Sequence, residues 1–565
     1  MNMAPLDLVI RGGSVVDGTG APARTADVAI RDGRIAAIGR VDDTRDAARV
    51  VDADGLTVTP GFIDVHTHYD AQLHWDPTAS PASWHGITTL FTGNCGFTLA
   101  PAKPDDVEWL MLMLSRVEGM SADALAEGVD FRGGTLGDFL DGLEGRVGVN
   151  VAANVGHCAL RRYVMGDDAS ERHANPHEIH EMQALLREAL NDGAYGFTSS
   201  QLDLHVAHDG RGVPSNHAAP MELVALASVL AEFDRGAIEF IPRTFLTGYD
   251  DDDRRLILDL ARTSGRPVHL NTLTQMPHAP DGWSRSLEFA REAAAEGLAV
   301  HPMFASNRQG AHFSLDTTFL FDEMPSFRDT LTLREPERSS RLKDPALRDR
   351  MRAEIADPRG RSFVFVWQAL RVESVVDAEH ERYLDMSVSE IAEQWNADPL
   401  DAFLDLSLAE NLATQFVLAA PHNATRKSAT EQIVAEPLVM AGSSDGGAHL
   451  LSFCGADFTT RLLTEWTPDF LTFEAAVARL TSAPAATQGL TDRGTLAPGM
   501  AADVLLIDRD RLATPDSPRY VRDFPAGSGR YVCDATGYVS VIVNGEELLH
   551  EGEHTGACPG AILRG

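Results

Sequence analysis

The chain has 565 residues, 83 acidic and 48 basic, for a formal charge of -35, and 44% of its side chains are hydrophobic. A field of that sign repels nucleic acid and anionic membranes, which excludes functions resting on a basic surface. The length exceeds one simple domain, although an α/β barrel can take well over half of it. The start, Met1-Asn2-Met3-Ala4-Pro5-Leu6-Asp7, lacks a basic segment followed by a long apolar core, and no uncharged apolar stretch is long enough to span a bilayer. The expected location is therefore the cytoplasm. Cys95, Cys158, Cys454, Cys533 and Cys558 are scattered without CxxC spacing and read as reduced thiols.

From Asp7 to about Asp54 the sequence alternates in short strands separated by turns, and Asp32-Gly33 between apolar pairs predicts a hairpin. The same style returns near Leu496–Asp508 and Val539–Gly545, so residues 1–58 and 486–565 are expected to form one small β-sandwich built from both chain termini. Residues 59–485 hold eight short apolar runs, near Phe62–Val65, Thr88–Phe91, Val151–Val155, Tyr195–Thr198, Ala237–Ile241, Pro267–Leu270, Ala299–Met303 and Pro437–Ala441. Helical periodicity between them, as in His177–Asn191, Glu222–Phe233, Arg254–Thr263 and Ser286–Glu296, predicts an α/β fold, a TIM-like (β/α)8 barrel. The interval of about 313–411, with helices over Pro345–Ile355 and Val388–Trp395, is too long for a simple connection. It is read as a lid over the barrel mouth, against a purely structural excursion.

Catalytic groups of such barrels stand at the carboxyl ends of the strands. Strand one ends Pro60-Gly61-Phe62-Ile63-Asp64-Val65-His66-Thr67-His68. Alternate strand residues point to one side, so His66 and His68 can meet one metal ion. Strand two runs into Thr92-Gly93-Asn94-Cys95-Gly96-Phe97. Strand three offers Asn154 and His157, strand six His269 and Asn271, strand seven His301, and strand eight Ser443-Ser444-Asp445-Gly446-Gly447-Ala448-His449. Asp445, opposite the histidine pair, can bind the metal and also take a proton from water. His157, His301, His449 and Asn271 are candidates to hold substrate, and Arg243 can take a carboxylate bidentately. His74, His85, His205, His208 and His217 fall in connecting loops and are expected at the surface.

With these motifs the chain resembles the amidohydrolase superfamily and, within it, the D-aminoacylase group of N-acyl-D-amino-acid deacylases. The likeness also runs through Gly86-Ile87-Thr88-Thr89, Val155-Gly156-His157-Cys158-Ala159-Leu160-Arg161, Gly193-Ala194-Tyr195-Gly196-Phe197-Thr198-Ser199-Ser200 and Gly499-Met500-Ala501-Ala502-Asp503. The resemblance implies a barrel plus β-sandwich, zinc as the metal, amide hydrolysis, and a cysteine ligand after strand two that marks this group. The sequence departs from the pattern at strand five, Ala237–Thr244, which has no histidine. It departs at strand six too, where His269 comes early and the family's neighbouring lysine is missing. No lysine ends strand four, which excludes a carbamylated bridge between two metals. One zinc ion is favoured over two, with His66, His68 and Asp445 as its core, Cys95 a ligand or a vestige, and His269 the further candidate.

The expected reaction is hydrolysis of a non-peptide amide, most simply an N-acyl-D-amino acid, with Asp445 accepting a proton from the attacking water and returning it to the amine. A cyclic amide or a lactone would pass through the same steps. A metal-dependent lyase and a non-catalytic binding protein on the same scaffold are the rival readings. The expected partner is a small-molecule substrate, not nucleic acid or membrane, and a homo-oligomer is compatible with the sequence.

Overall fold

Eight strands form one parallel sheet: Phe62–Asp64, Ile87–Thr92, Asn150–Gly156, Gly196–Ser200, Ile238–Ile241, Val268–Leu270, Val300–Phe304 and Met440–Ala441, hydrogen-bonded in sequence order. The structure, a computed structural model, describes residues 5–42, 47–304, 310–316, 318–357, 361, 366–418 and 424–565. Strands covered on both faces need apolar residues at nearly every position, and for this reason their sequences read as continuous runs without alternation. The sheet curls until its edges meet. A parallel bridge joins Thr67 to Gly446, and the His68 amide donates to the Gly446 carbonyl at 2.7 Å. That seam brings the ends of the first and eighth strands together. Glycine is required beside it, because a Cβ on Gly447 (φ 84°) would stand 2.8 Å from the His68 backbone. At the other end of the first strand a Cβ on Gly61 would stand 2.0 Å from the Thr88 hydroxyl oxygen, so close packing, more than turn geometry, demands this glycine.

The covering helices follow their signals. Asn175 and Glu178 make a reciprocal capping box at the start of Pro176–Asn191. Asp250 caps Asp251–Ser264, Gly265 ends it in the left-handed conformation, and Leu256, Ile257, Leu260 and Ala261 are buried on its inner face. Each such large apolar side chain contributes roughly 1.5–3 kcal/mol on burial.

Segments from both ends share a single nine-stranded sheet. Thr57–Pro60 pairs antiparallel with Val504–Ile507, and Ser14–Val15 pairs parallel with Thr57–Val58. The hairpin turn is in place, with Asp32 and Gly33 at φ 51° and 70° between Arg24–Arg31 and Arg34–Gly39. Asp503 ties this sheet to the barrel: it is buried, pairs with Arg493 at 2.7 Å and accepts from the Asn544 amide and the Asn150 side chain.

The long insertion has its own three-stranded sheet, Ala311–Phe313, Leu370–Ser374 and Gln415–Leu418. Its helices enclose a separate core that includes Phe313, Phe321, Phe327, Phe403 and Phe416. It therefore begins and ends a few residues outside the expected 313–411 interval. Tyr531 of the terminal segment donates to Glu373 at 2.7 Å, and His312 stacks on Tyr531 at 4.3 Å while its Nδ1 lies 2.9 Å from Glu373.

Candidate metal centre

Nε2 of His66, Nε2 of His68 and Sγ of Cys95 converge at the seam, all within 4.8 Å of one another. The Cys95 sulfur lies 3.4 Å from His66 Nε2 and 3.7 Å from His68 Nε2. Asp445 Oδ1 completes the group at 3.0 Å from His66 Nε2 and 3.9 Å from His68 Nε2. Donors around one tetrahedral zinc at ordinary bond lengths stand roughly 3.3–3.7 Å apart; the two sulfur–nitrogen separations fall in that range, and the two distances to Asp445 fall on either side of it, so that a small shift of this carboxylate would complete a single-ion set of two imidazoles, a thiolate and a carboxylate. Three of the four side chains are sealed off, while that of Asp445 keeps 21% exposure and is the end of the cluster that a substrate can reach. Cys95, Ser443, Asp445 and His449 all hold positive φ, between 50° and 61°. Such backbone costs about 1 kcal/mol or more per residue and persists where surrounding structure enforces it.

The nitrogens turned away from the cluster also meet carboxylates. His66 Nδ1 is 3.6 Å from Glu239 Oε1, and His68 Nδ1 is 3.4 Å from Glu118 Oε1. No hydrogen bond reaches either Nδ1 or Glu239 Oε1. A carboxylate behind each ligating imidazole fixes ring orientation and raises its basicity. Burial pushes the Asp64 and Glu239 carboxyls up to about 7. It raises Glu118 and the Cys95 thiol well above their ordinary values, with neighbouring carboxylates adding to the effect. His68 is driven down by burial and by the charge of His66. Burial opposes ionisation of Asp445, but the His66 hydrogen bond and the charges of His66, His449 and His68 outweigh it and bring the carboxyl to about 2. Buried acids pushed towards the neutral form for want of positive charge are what a divalent cation relieves, and this, with the spacing of the sulfur and nitrogen donors, fits a metal.

The remaining expected site residues divide between the cluster and the scaffold. Asn271 belongs with the cluster, its Nδ2 lying 3.3 Å from His66 Nε2 and its carbonyl oxygen accepting from Ser443. His269 does not join it. Its register neighbours are Glu239 and His301, two residues deeper along the strand than Asn271, and its Nδ1 faces Gln488 at 3.5 Å. His157 is also a scaffold residue: both ring nitrogens are engaged, with Ser199 Oγ at 2.8 Å and Glu222 at 2.9 Å, beside an Arg161–Glu222 pair in which Nη1 donates to both carboxylate oxygens at 2.6 Å. His301 bonds the Leu438 carbonyl at 3.1 Å. Arg243 is exposed, because the chain turns after Ile241 and sends its charge towards Asp253.

His449 does reach the site, 3.8 Å from Glu118 through Nε2. None of the loop histidines is fully exposed, and two of them are well enclosed. His85 is enclosed between Thr460 Oγ1 at 2.7 Å and the Cys533 carbonyl at 3.1 Å. His205 lines the cavity next to the cluster, and burial pushes it down to about 3. Three residues escaped the strand-end reading. Glu118 follows the helix Val107–Val117, and His205 lies in the loop after the fourth strand. Glu239 had a legible signal, a lone carboxylate inside the buried strand Ile238–Ile241.

Above the cluster lies a cavity of about 400 Å³, lined in part by His68, Cys95, Asn271, Asp445 and His449. Phe319, Leu320 and Asp322 of the insertion form one of its walls.

Residues 49–548 match the amidohydrolase family. The N-acyl-D-glutamate deacylase of Alcaligenes xylosoxydans xylosoxydans is 30% identical over 586 residues, covering 99% of this chain and 96% of that protein. An uncharacterised protein of Mycobacterium tuberculosis is 31% identical over 540 residues, covering 90% and 85%. The solved N-acyl-D-glutamate deacylase from Bordetella bronchiseptica, complexed with zinc and a phosphonate mimic of the tetrahedral intermediate, matches with TM-score 0.67 at 27% identity, covering 99% of this chain and 100% of that one.

Proposed function

The chain belongs to the amidohydrolase family and is a hydrolase of it, and from that premise we propose that it is a zinc-dependent deacylase of N-acyl amino acids of the D series. The observation that carries the reading is the convergence of His66, His68, Cys95 and Asp445 at one end of the cavity. Those four residues would hold a single ion, and Glu239 and Glu118 would orient the two imidazoles. When bound, zinc supplies Lewis acidity, polarising a carbonyl and acidifying water.

The chain's own groups do the rest. Asp445 stays ionised at neutral pH and accepts a proton from the attacking water, then returns it to the leaving amine nitrogen. His449 and Asn271, on the cavity wall, orient the scissile amide. The enclosing walls keep bulk water away from the charges that develop. The same reading takes the paired ends, residues 1–58 and 486–565, as one terminal β-sandwich domain, the insertion as a lid that supplies one wall of the cavity, and the cytoplasm as the site of action.

The test is metal analysis of the purified protein, followed by a screen of N-acyl-D- and N-acyl-L-amino acids, hydantoins and lactones. Zinc-dependent release of free D-amino acids is the expected result. Exclusive cleavage of a cyclic amide or lactone, or a product formed by carbon–carbon cleavage, would overturn the substrate assignment.

A further inference from the structure

The segment after the eighth strand, which carries Asp445 and His449, has little ladder of its own. Its strand, Met440–Ala441, is two residues long, and Ser443, Asp445 and His449 hold positive φ of 61°, 50° and 51°. Backbone in that region keeps its place only where neighbours enforce it. Beyond His449 the enforcing contacts come from two distant parts of the chain. The Tyr531 amide donates to the Leu450 carbonyl at 2.8 Å, and the His312 amide donates to the Ser452 carbonyl at 2.7 Å. Ser452 and Phe453 in turn donate their amides to the His449 carbonyl at 2.6 and 2.9 Å, and the Phe453 ring lies 5.0 Å from the imidazole of His449. His449, Ser452 and Phe453 all line the cavity.

Glu373 joins the two donors. One of its carboxylate oxygens, Oε2, accepts from the Tyr531 hydroxyl at 2.7 Å and stands 2.9 Å from His312 Nδ1, while the rings of His312 and Tyr531 stack at 4.3 Å. Both ring-bearing residues are buried. Glu373 reaches them from a break in register: Val372 faces Phe416 and Ser374 faces Gln415, which leaves Glu373 as the extra residue of a β-bulge. A bulge re-aims its side chain, and bulges recur beside active sites. Burial opposes the Glu373 charge, but the bonds and charge of His312 and the Tyr531 bond outweigh it, and the carboxyl lies below its ordinary value. Burial, and then Glu373, push the Tyr531 phenol up, so it stays a donor.

We propose that Glu373 is a positioning residue of the active site, which clasps Tyr531 to His312 and through them fixes residues 449–453, so that the His449 ring is held against the reacting amide. The proposal rests on the deacylase reading of the cavity and deepens it. Misplacement of a positioned group by about 1 Å can cost on the order of a hundredfold in rate. A carboxylate outside the cavity lining thereby governs turnover without touching substrate.

The experiment measures kcat and KM of the purified, zinc-loaded enzyme for N-acetyl-D-leucine or N-acetyl-D-glutamate, whichever turns over faster. The proteins compared are the wild type, Glu373→Ala, Glu373→Gln, His449→Ala and the double variant Glu373→Ala/His449→Ala. Glu373→Ala should lower kcat by on the order of 10–100-fold, with KM within about twofold and zinc content unchanged. Glu373→Gln, which keeps an acceptor, should recover most of the loss. The double variant should turn over within about twofold of His449→Ala, because the clasp acts through that ring. Wild-type kcat in Glu373→Ala, or a loss of the same factor in both backgrounds, would overturn the proposal while leaving the deacylase reading intact. Should Glu373→Ala fail to fold, Tyr531→Phe, which removes one bond and keeps the stacked ring, takes its place under the same criteria with an expected loss of about fivefold.

If neither substrate is hydrolysed, hydrogen–deuterium exchange decides the clasp separately from the deacylase reading. Amides of residues 449–453 that exchange at least about fivefold faster in Glu373→Ala than in the wild type uphold it. Equal exchange removes it.

Discussion

Replacing Glu118 with Gln removes a charge facing Nδ1 of His68 and keeps the volume. A full charge pair at their 3.4 Å separation is worth about 5 kcal/mol at an effective dielectric near 20. Burial takes back most of that sum, because neither side chain keeps more than 3% exposure. The remainder should match the effect of other carboxylates behind metal-binding imidazoles, about 10–100-fold in metal affinity, or about 1.4–2.7 kcal/mol. Stability of the metal-free protein should change little, since burial pushes Glu118 towards its neutral acid form there and glutamine is its near-isostere. Zinc competition against a chromophoric chelator reads the affinity, and denaturant unfolding of the chelated protein reads the stability. Zinc affinity and kcat/KM both equal to wild type would refute the reasoning. A loss of several kcal/mol in the metal-free state would make Glu118 a residue of the fold and not of the site.

Asp445→Asn should fold normally and, compared at equal zinc occupancy, bind substrate with little change in KM and lose about 10²–10⁴-fold in kcat; near-normal turnover would remove the carboxylate from proton transfer. Zinc affinity should rise with pH between 6 and 8, about tenfold per unit for each proton displaced, because burial holds the Cys95 thiol well above its ordinary value and the ion must expel that proton; a flat profile in chelator titrations would mean that the thiol is not displaced. Glu222→Ala should cost about 3–5 kcal/mol in denaturant unfolding, by leaving the Arg161 guanidinium buried without its carboxylate. Burial opposes the Glu222 charge, but His157 and Arg161 outweigh it and hold the carboxyl below its ordinary value of 4.5. The wild-type contribution is therefore full above that pH and is lost as pH falls through the lowered folded value, so the gap between variant and wild type should narrow in acid.

The barrel was legible because its strands are covered on both faces. Runs such as Val151–Val155 fall inside the observed strand Asn150–Gly156, and Tyr195–Thr198 is displaced from Gly196–Ser200 by only one or two residues. The cluster was legible where one of its side chains follows directly from a strand end, as with His66, His68 and Asp445. His269 misled because alternation along the strand gives the face and not the depth: His269 and Asn271 share a face, and only Asn271 rises to His66. His157 misled because a strand-end histidine can serve a buried ion pair as well as a substrate. Glu118 and His205 were hidden because their positions depend on how a helix end and a loop fold back over the barrel mouth, which local pattern does not encode. The clustering of acids around the imidazoles depends on the same tertiary closure.

The central claim, a single zinc held by His66, His68, Cys95 and Asp445, is tested most directly by elemental analysis of wild type and Cys95→Ala purified without chelators. The account predicts about one zinc per chain in the wild type, and a folded Cys95→Ala protein that has lost both the metal and its amide hydrolysis. A Cys95→Ala protein that keeps its zinc and most of its activity would contradict it, and so would two fully occupied metals per wild-type chain.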